Sequence, residues 1–313
     1  MYESSSKKWL LRLIWLTLAV AVVFFLIRGY LRITDGFGVD KMTYEMPHNP
    51  SWEVAPLSEK EKAEVDAILN QPFTYIGKGA QSYAFTSADD KYVIKFFKFR
   101  HLRPSWMIDA LPEWDFLKEY REKNRERKNK LITVVFSGYK LAYDELKSES
   151  GIVYLHLNRT QHLSKKLTVY DKLGLKWEID LDSIVFVIQE KAKTTRSVLA
   201  EALKNNDIPL VEKRVTQIID LYLHEYSKGI YDIDHGVLHN TGFVGDKPIH
   251  LDVGRLKKDE NMKLPEYYQQ DLIVIANKFE VWFRRGYPEQ YPEIKTFLEN
   301  KMTQILGKPF AFE

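Results

Sequence analysis

The sequence contains no cysteine. Disulfide bonds, thiolate metal ligands and thiol nucleophiles are therefore excluded. The chain also lacks an excess of one charge, because 46 Lys and Arg residues face 43 Asp and Glu residues. Nucleic-acid-binding proteins usually carry a clustered basic excess, so we expect no nucleic-acid partner. With 45% hydrophobic residues and no internal repeat, most of the chain should form an ordinary packed globule.

Only one long apolar run is present, near the N-terminus. No charged residue occurs from position 13 to position 27, and Trp9 to Leu11 extend the run past Arg12. This length approaches the roughly 20 residues that cross a bilayer as a helix. A cleaved signal peptide and a buried core helix are the alternatives. We predict an uncleaved anchor at residues 1–32, since the run ends in bulky residues and has no polar face.

Basic residues flank both ends of this run in nearly equal number, so they leave its orientation open.

Residues 33–57 contain several glycines and prolines and predict a linker. A capping box at Ser58 and Glu61 predicts a helix start. Strand patterns follow at 73–99, 138–146, 151–158 and 167–190, with a helical pattern at 114–128. Residues 161–182 predict an added hairpin. The remaining chain is mostly helical in pattern, which predicts an α+β fold with a strand-rich lobe at 58–192, including this hairpin, and a helical lobe at 193–313.

Two glycines, Gly77 and Gly79, stand one residue apart between extended segments. Such a hairpin lets the main chain approach phosphate oxygens closely, although a simple glycine turn has the same pattern. One hairpin later, Lys95 lies in an apolar strand, where its ammonium group needs an anionic partner. An outward-facing strand lysine is the alternative interpretation.

A third group of candidate residues, which are polar, follows a long amphipathic helix. Asp234, Asn240 and Asp252 are placed on what should be loops. Phosphoryl transfer needs a carboxylate that orients the acceptor hydroxyl and oxygen ligands for Mg²⁺, which these residues supply. Asx turns and helix caps are the alternative. A histidine-based metal hydrolase is disfavoured, because no histidine spacing matches a metal-binding helix pair.

Together these segments resemble the protein-kinase-like superfamily. The resemblance implies a bilobal fold with an antiparallel-sheet N-lobe and a helical C-lobe, preceded here by one transmembrane helix. It implies ATP and Mg²⁺ as cofactors. The residues that match the family's motifs are Gly77, Gly79 and Ser82 in the glycine loop, Lys95 on its strand, Glu190 and Ala192 in the hinge, Asn240 and Asp252 as metal ligands, and Asp271 as the brace of the catalytic loop.

Two departures from the family's pattern concern catalysis. The position five residues before Asn240 is His235, where the family has its aspartate. Asp234 is the first candidate for that role, with Asp232 as a second and His235 as a base of near-neutral pKa as a third. For the helix carboxylate that pairs with Lys95 we select Glu119, with Glu113 and Glu122 as rivals.

The segment between Gly254 and Asp271 is short and lacks the docking motif of protein-substrate kinases. In this respect the chain resembles kinases of small molecules, aminoglycosides and lipopolysaccharide sugars. We therefore expect a phosphotransferase whose acceptor is a hydroxyl of a sugar, lipid or glycan. A pseudokinase that serves as a membrane-bound scaffold is the alternative. We expect the kinase-like domain in the cytoplasm, where ATP is plentiful.

Overall fold

Helix α1, Ser5–Ile33, stands apart from the rest of the protein in the computed structural model, which describes residues 5–43, 46–99, 114–161 and 163–313. Its segment Trp9–Ile33 is long and apolar enough to cross a membrane, and none of it is buried inside the protein. The alternative of a buried core helix is therefore excluded. At 1.5 Å per residue, this segment is about 37 Å long, against about 30 Å for a bilayer core.

The segment predicted as a linker packs onto the sheet lobe. It contains two single-turn 3₁₀ helices, Val39–Lys41 and Pro50–Trp52. Phe37 and Met42 are buried with the sheet residues, and Trp52 packs edge-on against Phe136 with ring centroids 5.0 Å apart. Removal of these large apolar side chains from water stabilises the packing of the segment against the lobe.

The N-terminal lobe begins with helix α2, Glu59–Leu69, whose predicted capping box is confirmed by reciprocal hydrogen bonds between Ser58 and Glu61. A seven-stranded sheet follows. Its strands are β1 Phe73–Lys78, β2 Ser82–Ser87, β3 Tyr92–Phe97, β4 Ile152–His156, β5 Lys166–Tyr170, β6 Lys176–Asp180 and β7 Phe186–Glu190. The spatial order is β4-β7-β3-β2-β1-β5-β6, and every neighbouring pair is antiparallel except β1 with β5. The β5–β6 hairpin, predicted as an addition at 161–182, extends one edge.

Helix α3 covers Asp115–Glu145 and is followed by the single turn α4, Lys147–Ser150. The prediction of a strand at 138–146 is therefore wrong. Val135, Phe136 and Tyr139 are buried at helical spacing on the face turned to the sheet and to the C-terminal lobe. A long helix buries this apolar face continuously, which a strand would not do.

The C-terminal lobe is mainly helical. Its elements are β8 Lys193–Thr194, α5 Thr195–Lys204, α6 Ile208–Ser227, β9 Ile230–Asp232, α7 Val237–Asn240, β10 Thr241–Val244, β11 Lys247–His250, β12 Leu256–Lys258, a 3₁₀ turn Glu260–Lys263, α8 Pro265–Gly286 and α9 Tyr291–Leu306. The hairpin β10–β11 and the short β9–β12 ladder carry the loops that face the other lobe. The predicted α+β fold, a sheet lobe followed by a helical lobe, is confirmed.

Candidate functional site

A cleft with a volume of about 640 Å³ lies between the sheet lobe and the helical lobe. Most of the predicted site residues line it, although they come from distant parts of the chain. They are Gly77, Gly79, Ser82, Lys95, Glu190, Ala192, Asp234 and Asp252. The structure thus brings together the predicted nucleotide and acceptor residues in one place. Glu119, His235 and Asn240 are not among the side chains that line the cleft.

The glycine hairpin between β1 and β2 forms the upper edge of the cleft. Neither Gly77 nor Gly79 has a positive φ, so the turn itself does not require glycine at these positions. A Cβ at Gly77 would meet no atom within 4 Å, so the side of the main chain that a side chain would occupy is open. The Gly79 amide donates to the Ser82 carbonyl at 2.9 Å and closes the hairpin. This arrangement leaves room for a ligand to approach the main chain.

Lys95 reaches from β3 into the cleft, where its ammonium group donates to the main-chain carbonyl of Leu251 at 2.7 Å. Leu251 directly precedes Asp252, so this hydrogen bond joins the sheet lobe to the loop that carries the carboxylate. Burial lowers the pKa of Lys95, and the nearby charge of Asp252 opposes that shift. A partly desolvated ammonium group of this kind is suited to bind an anionic ligand.

Glu119 does not meet Lys95. Its side chain is 71% exposed and forms an ion pair with Lys123 on the same helix. Glu122 is also exposed, and Glu113 lies outside the described residues. Among the residues that the structure describes, no carboxylate lies within 4 Å of the Lys95 ammonium group. The N-terminal half of α3 is highly charged, so its glutamates remain in solvent.

Tyr139 is the residue of α3 that lines the cleft. Burial raises its pKa, and the neighbouring carboxylate of Asp252 adds to the shift, so the phenol remains neutral. One residue earlier, a Cβ at Gly138 would lie 2.5 Å from the carbonyl oxygen of Val253. Glycine therefore lets the helix pack directly on the Asp252 loop. The prediction of residues 138–146 as a strand concealed both residues.

The loop after β9 gives two of the three candidate catalytic residues, Asp234 and His235, different surroundings. Asp234 lines the cleft, and its amide donates to the Asp232 carboxylate at 2.9 Å. His235 has a φ of 52°, and its Nε2 lies 2.6 Å from Asp271 Oδ1. Tyr226 donates to the other Asp271 oxygen at 2.6 Å. Asp271 thus contacts the loop at His235, in keeping with the bracing role that the resemblance implies.

Below this loop lies a buried charged network that no sequence pattern indicates. The side chains of His250, Glu225 and Asp232 are completely inaccessible to solvent. His250 Nδ1 lies 3.0 Å from Glu225 Oε1, and His250 Nε2 lies 3.5 Å from Asp232 Oδ2. Burial disfavours a charged imidazole, but the two carboxylates outweigh it and raise the pKa of His250 to about 10. Asp232 is therefore a structural partner and does not face the cleft.

Asn240 connects this network to the cleft. Its amide nitrogen lies 3.3 Å from Asp232 Oδ2 and 3.4 Å from Asp234 Oδ2. The main-chain carbonyl of Asn240 accepts hydrogen bonds from the amides of Leu251 and Asp252 at 2.6 and 3.2 Å. The positions of Asp234 and Asp252 are thus both set through Asn240.

The hinge follows β7. Gln189 donates from Nε2 to the carbonyl oxygens of Ser150 at 2.6 Å and His250 at 3.2 Å, which ties the two lobes together. Glu190 pairs with Lys247 of the helical lobe at 3.0 Å. These contacts hold the main chain of residues 190–192 along the back of the cleft, beside Ala192.

The oxygen ligands in the cleft suit a hard divalent cation. Asp234 and Asp252 supply carboxylates in the cleft, and the buried Asn240 carries an amide next to Asp234. Carboxylate and amide oxygens are groups that Mg²⁺ accepts. Across the described ranges, no cluster of three or more Asp, Glu or His residues is arranged to hold a metal. Mg²⁺ commonly binds through one or two carboxylates, water and substrate phosphates, so this donor set fits it.

Comparisons with known proteins add likenesses of fold. No family model matches the sequence, and no curated protein matches it. The chain is similar to the bifunctional kinase-methyltransferase WbdD, at 11% identity and a TM-score of 0.35, over 74% of this chain and 44% of that one. It is similar to the ADP-bound aminoglycoside phosphotransferase APH(2'')-Ib, at 11% identity and a TM-score of 0.25, over 82% and 100% of the two chains.

A third similar structure is the streptomycin-ATP complex of APH(2'')-IIa, at 11% identity and a TM-score of 0.24, over 81% and 99% of the chains. The chain spans less than half the length of the WbdD structure. Because these TM-scores lie below 0.5, the inferences below depend on the residues of this chain.

Proposed function

We propose that this protein is a membrane-anchored phosphotransferase that moves the γ-phosphate of ATP to a hydroxyl group of a sugar, lipid or glycan. The observation that carries the proposal is the shared cleft of Lys95, Asp234 and Asp252 beneath an open glycine hairpin. A cation for phosphates, a carboxylate for an acceptor hydroxyl and a second carboxylate for a metal are the groups that phosphoryl transfer needs.

Each residue has a distinct task in the proposal. The main chain of Gly77 and Gly79, with Ser82, covers the phosphates, and Lys95 binds them through its ammonium group. The main chain around Glu190 and Ala192 holds the adenine. Lys95 is already held beside the Asp252 loop by its hydrogen bond to Leu251, so little reorganisation precedes binding.

Asp234 orients the acceptor hydroxyl and accepts its proton. This assignment is supported by the position of Asp234 in the cleft and by the engagement of His235 with Asp271. Asp252 and Asn240 would hold Mg²⁺. The ion would neutralise charge on the β- and γ-phosphates when bound with the nucleotide.

The short segment after the metal-binding loop supports a non-protein acceptor. Strand β12 begins at Leu256, two residues after Gly254, and pairs with β9. Helix α8 then begins at Pro265. Little chain therefore remains to form a docking platform for a peptide. The exposed apolar helix α1 supports anchoring in a membrane. The catalytic domain lies in the cytoplasm in this proposal, because ATP is plentiful there.

One observation favours a second candidate, a pseudokinase that binds nucleotide as a membrane-bound scaffold. In the described part of the chain, Lys95 has no carboxylate partner within 4 Å, and α3 presents Tyr139 at the cleft. Active kinases use an ion pair between the strand lysine and a helix glutamate. Without it, the lysine could bind phosphates yet position them poorly for transfer.

Turnover of Mg-ATP by the purified full chain in mild detergent separates these functions. We expect turnover in the wild type and a decrease of at least about 100-fold in Asp252→Ala, the scale of losing one transition-state electrostatic contact. Glu119→Gln is the matched control and should retain turnover, because Glu119 pairs with Lys123. Thermal stabilisation by Mg-ATP without turnover would favour the scaffold, and equal turnover in Asp252→Ala would refute the phosphotransferase.

A further inference from the structure

A second cavity, with a volume of about 340 Å³, lies beside the tip of the glycine hairpin, just beyond the end of α1. Its charged lining comes from three separate segments that the fold brings together. Lys41 follows the helix, Lys78 belongs to β1, and Lys98 follows β3, with Asp35 as the one acidic residue in the lining. None of these lysines has a role in the proposed transfer reaction.

The three ammonium groups retain unused donor capacity. Lys41 Nζ donates to the Gly36 carbonyl at 2.6 Å, and Lys98 Nζ donates to the Gly79 carbonyl. Lys78 Nζ lies 3.1 Å from a carboxylate oxygen of Asp35. Each ammonium group carries three protons, so donors remain for an incoming ligand.

Asp35 does not cancel this positive charge. Its carboxylate accepts a hydrogen bond from Lys172 at 2.9 Å, which is the main reason that its pKa is lowered to about 2. Lys78 and the Tyr75 hydroxyl, at 3.0 Å, add to that effect. One carboxylate is therefore shared between two lysines, and the cavity keeps an excess of positive charge.

Lys98 is a buried lysine whose ammonium group donates to a neutral carbonyl oxygen. Only 8% of the residue is exposed, and its ammonium group lies 5.0 Å from the centre of the Tyr83 ring. Burial lowers the pKa of Lys98, and the neighbouring charge of Lys78 adds to the shift. A buried ammonium group is costly unless it is paired, and an anion in the cavity would complete its pairing.

The position of the cavity indicates where the anion comes from. Asp35 lies two residues beyond the end of α1, and the Thr34 amide still bonds to the Tyr30 carbonyl at 2.9 Å. If α1 crosses the bilayer, these residues lie at the height of the lipid headgroups. We propose that the pocket formed by Lys41, Lys78 and Lys98 binds a phosphate group presented at the membrane surface. The membrane as source rests on the anchoring in the proposed function; the binding chemistry does not.

The test uses the full chain in neutral detergent without ATP, so its outcome is independent of phosphotransfer. The probes are dihexanoyl phosphatidic acid, dihexanoyl phosphatidylcholine and inorganic phosphate. We expect saturating phosphatidic acid to raise Tm by about 2–5 °C, with phosphatidylcholine much weaker. Lys41→Gln and Lys98→Gln should each weaken the apparent Kd about tenfold, the value of one charge-assisted hydrogen bond.

Lys60→Gln is the matched control, because Lys60 is an exposed lysine of α2 in the same lobe and should leave the Kd unchanged. A response to phosphatidic acid but not to phosphate supports a lipid ligand. An equal response to both supports the phosphate site and removes the membrane as its source. No response to either anion, or an unchanged Kd in both pocket variants, would overturn the proposal.

Discussion

The buried network around His250 allows a quantitative prediction through Glu225→Gln, which removes one carboxylate and keeps the side-chain shape. Raising the His250 pKa from 6.5 to about 10 corresponds to a stabilisation of about 5 kcal/mol when the imidazole is charged. Glu225 and Asp232 share this effect, so we expect Glu225→Gln to lower the free energy of unfolding by about 2–3 kcal/mol near pH 6.

The same network predicts a pH dependence with a definite sign. The folded pKa of His250 lies above the unfolded value, so its stabilisation is complete below about pH 6.5. It is then lost as the pH rises toward 10, at about 1.4 kcal/mol per pH unit. Glu225→Gln lowers the folded pKa of His250, so the difference between wild type and variant should stay constant until the pH reaches the lowered pKa of the variant. Above that pH the difference should shrink, and it should vanish toward pH 10.

Urea unfolding of the full chain in mild detergent, followed from pH 6 to pH 9.5, measures this difference. Asp220→Asn on the same helix is the control, because Asp220 is exposed and its ion pair with Lys301 is long, at 3.6 Å. It should change the free energy of unfolding by less than about 0.5 kcal/mol. A Glu225→Gln effect that is independent of pH, or an NMR titration of His250 near pH 6.5, would refute the charged network.

Further predictions concern the catalytic loop and the packing of α3. Asp234→Asn should reduce phosphate transfer at least about 100-fold, and His235→Asn should reduce it less than about tenfold. The reason is that Asp234 lines the cleft, whereas His235 contacts Asp271. The reverse order in a turnover assay would assign the base to His235. Gly138→Ala should lower the free energy of unfolding by about 1–3 kcal/mol, because the added Cβ would lie 2.5 Å from the Val253 carbonyl oxygen. Gly286→Ala, with no atom within 4 Å of its Cβ, should be neutral or stabilising, and equal denaturation midpoints for both variants would contradict this account.

Most of the residues that local patterns single out lie in the cleft. Three short-range signals are present: turn chemistry at the glycine pair before β2, a charged residue inside an apolar strand at Lys95, and a polar residue after a strand at Asp252. Their order along the chain, compared with a known family, then indicated that they meet. The meeting itself depends on the packing of two lobes, which no local pattern contains.

The misread part of the site lies where two local signals compete. Around Gly138, glycine and aromatic residues suggested a strand, although Val135, Phe136 and Tyr139 also follow helical spacing. Burial of that face against both lobes decides in favour of the helix. The helical pattern at 114–128 therefore favours Glu119 on the exposed end of α3, and it gives no sign of Tyr139.

Contacts between distant segments could not be predicted at all. Asp35 meets Tyr75 and Lys172, which follow it by 40 and 137 residues, and no periodicity or spacing records such a meeting. The glycines and prolines of residues 33–57 predict a linker. Their pattern does not reveal that Phe37 and Met42 are buried against the sheet lobe.

The central claim is phosphate transfer to a non-protein hydroxyl, and one measurement addresses it directly. Membranes containing the wild-type chain are incubated with Mg²⁺ and ATP labelled at the γ-phosphate, then separated into lipid, glycan and protein fractions. We predict label in the lipid or glycan fraction, decreased at least about 100-fold with Asp252→Ala. Label confined to protein, or equal labelling with Asp252→Ala, would contradict the account.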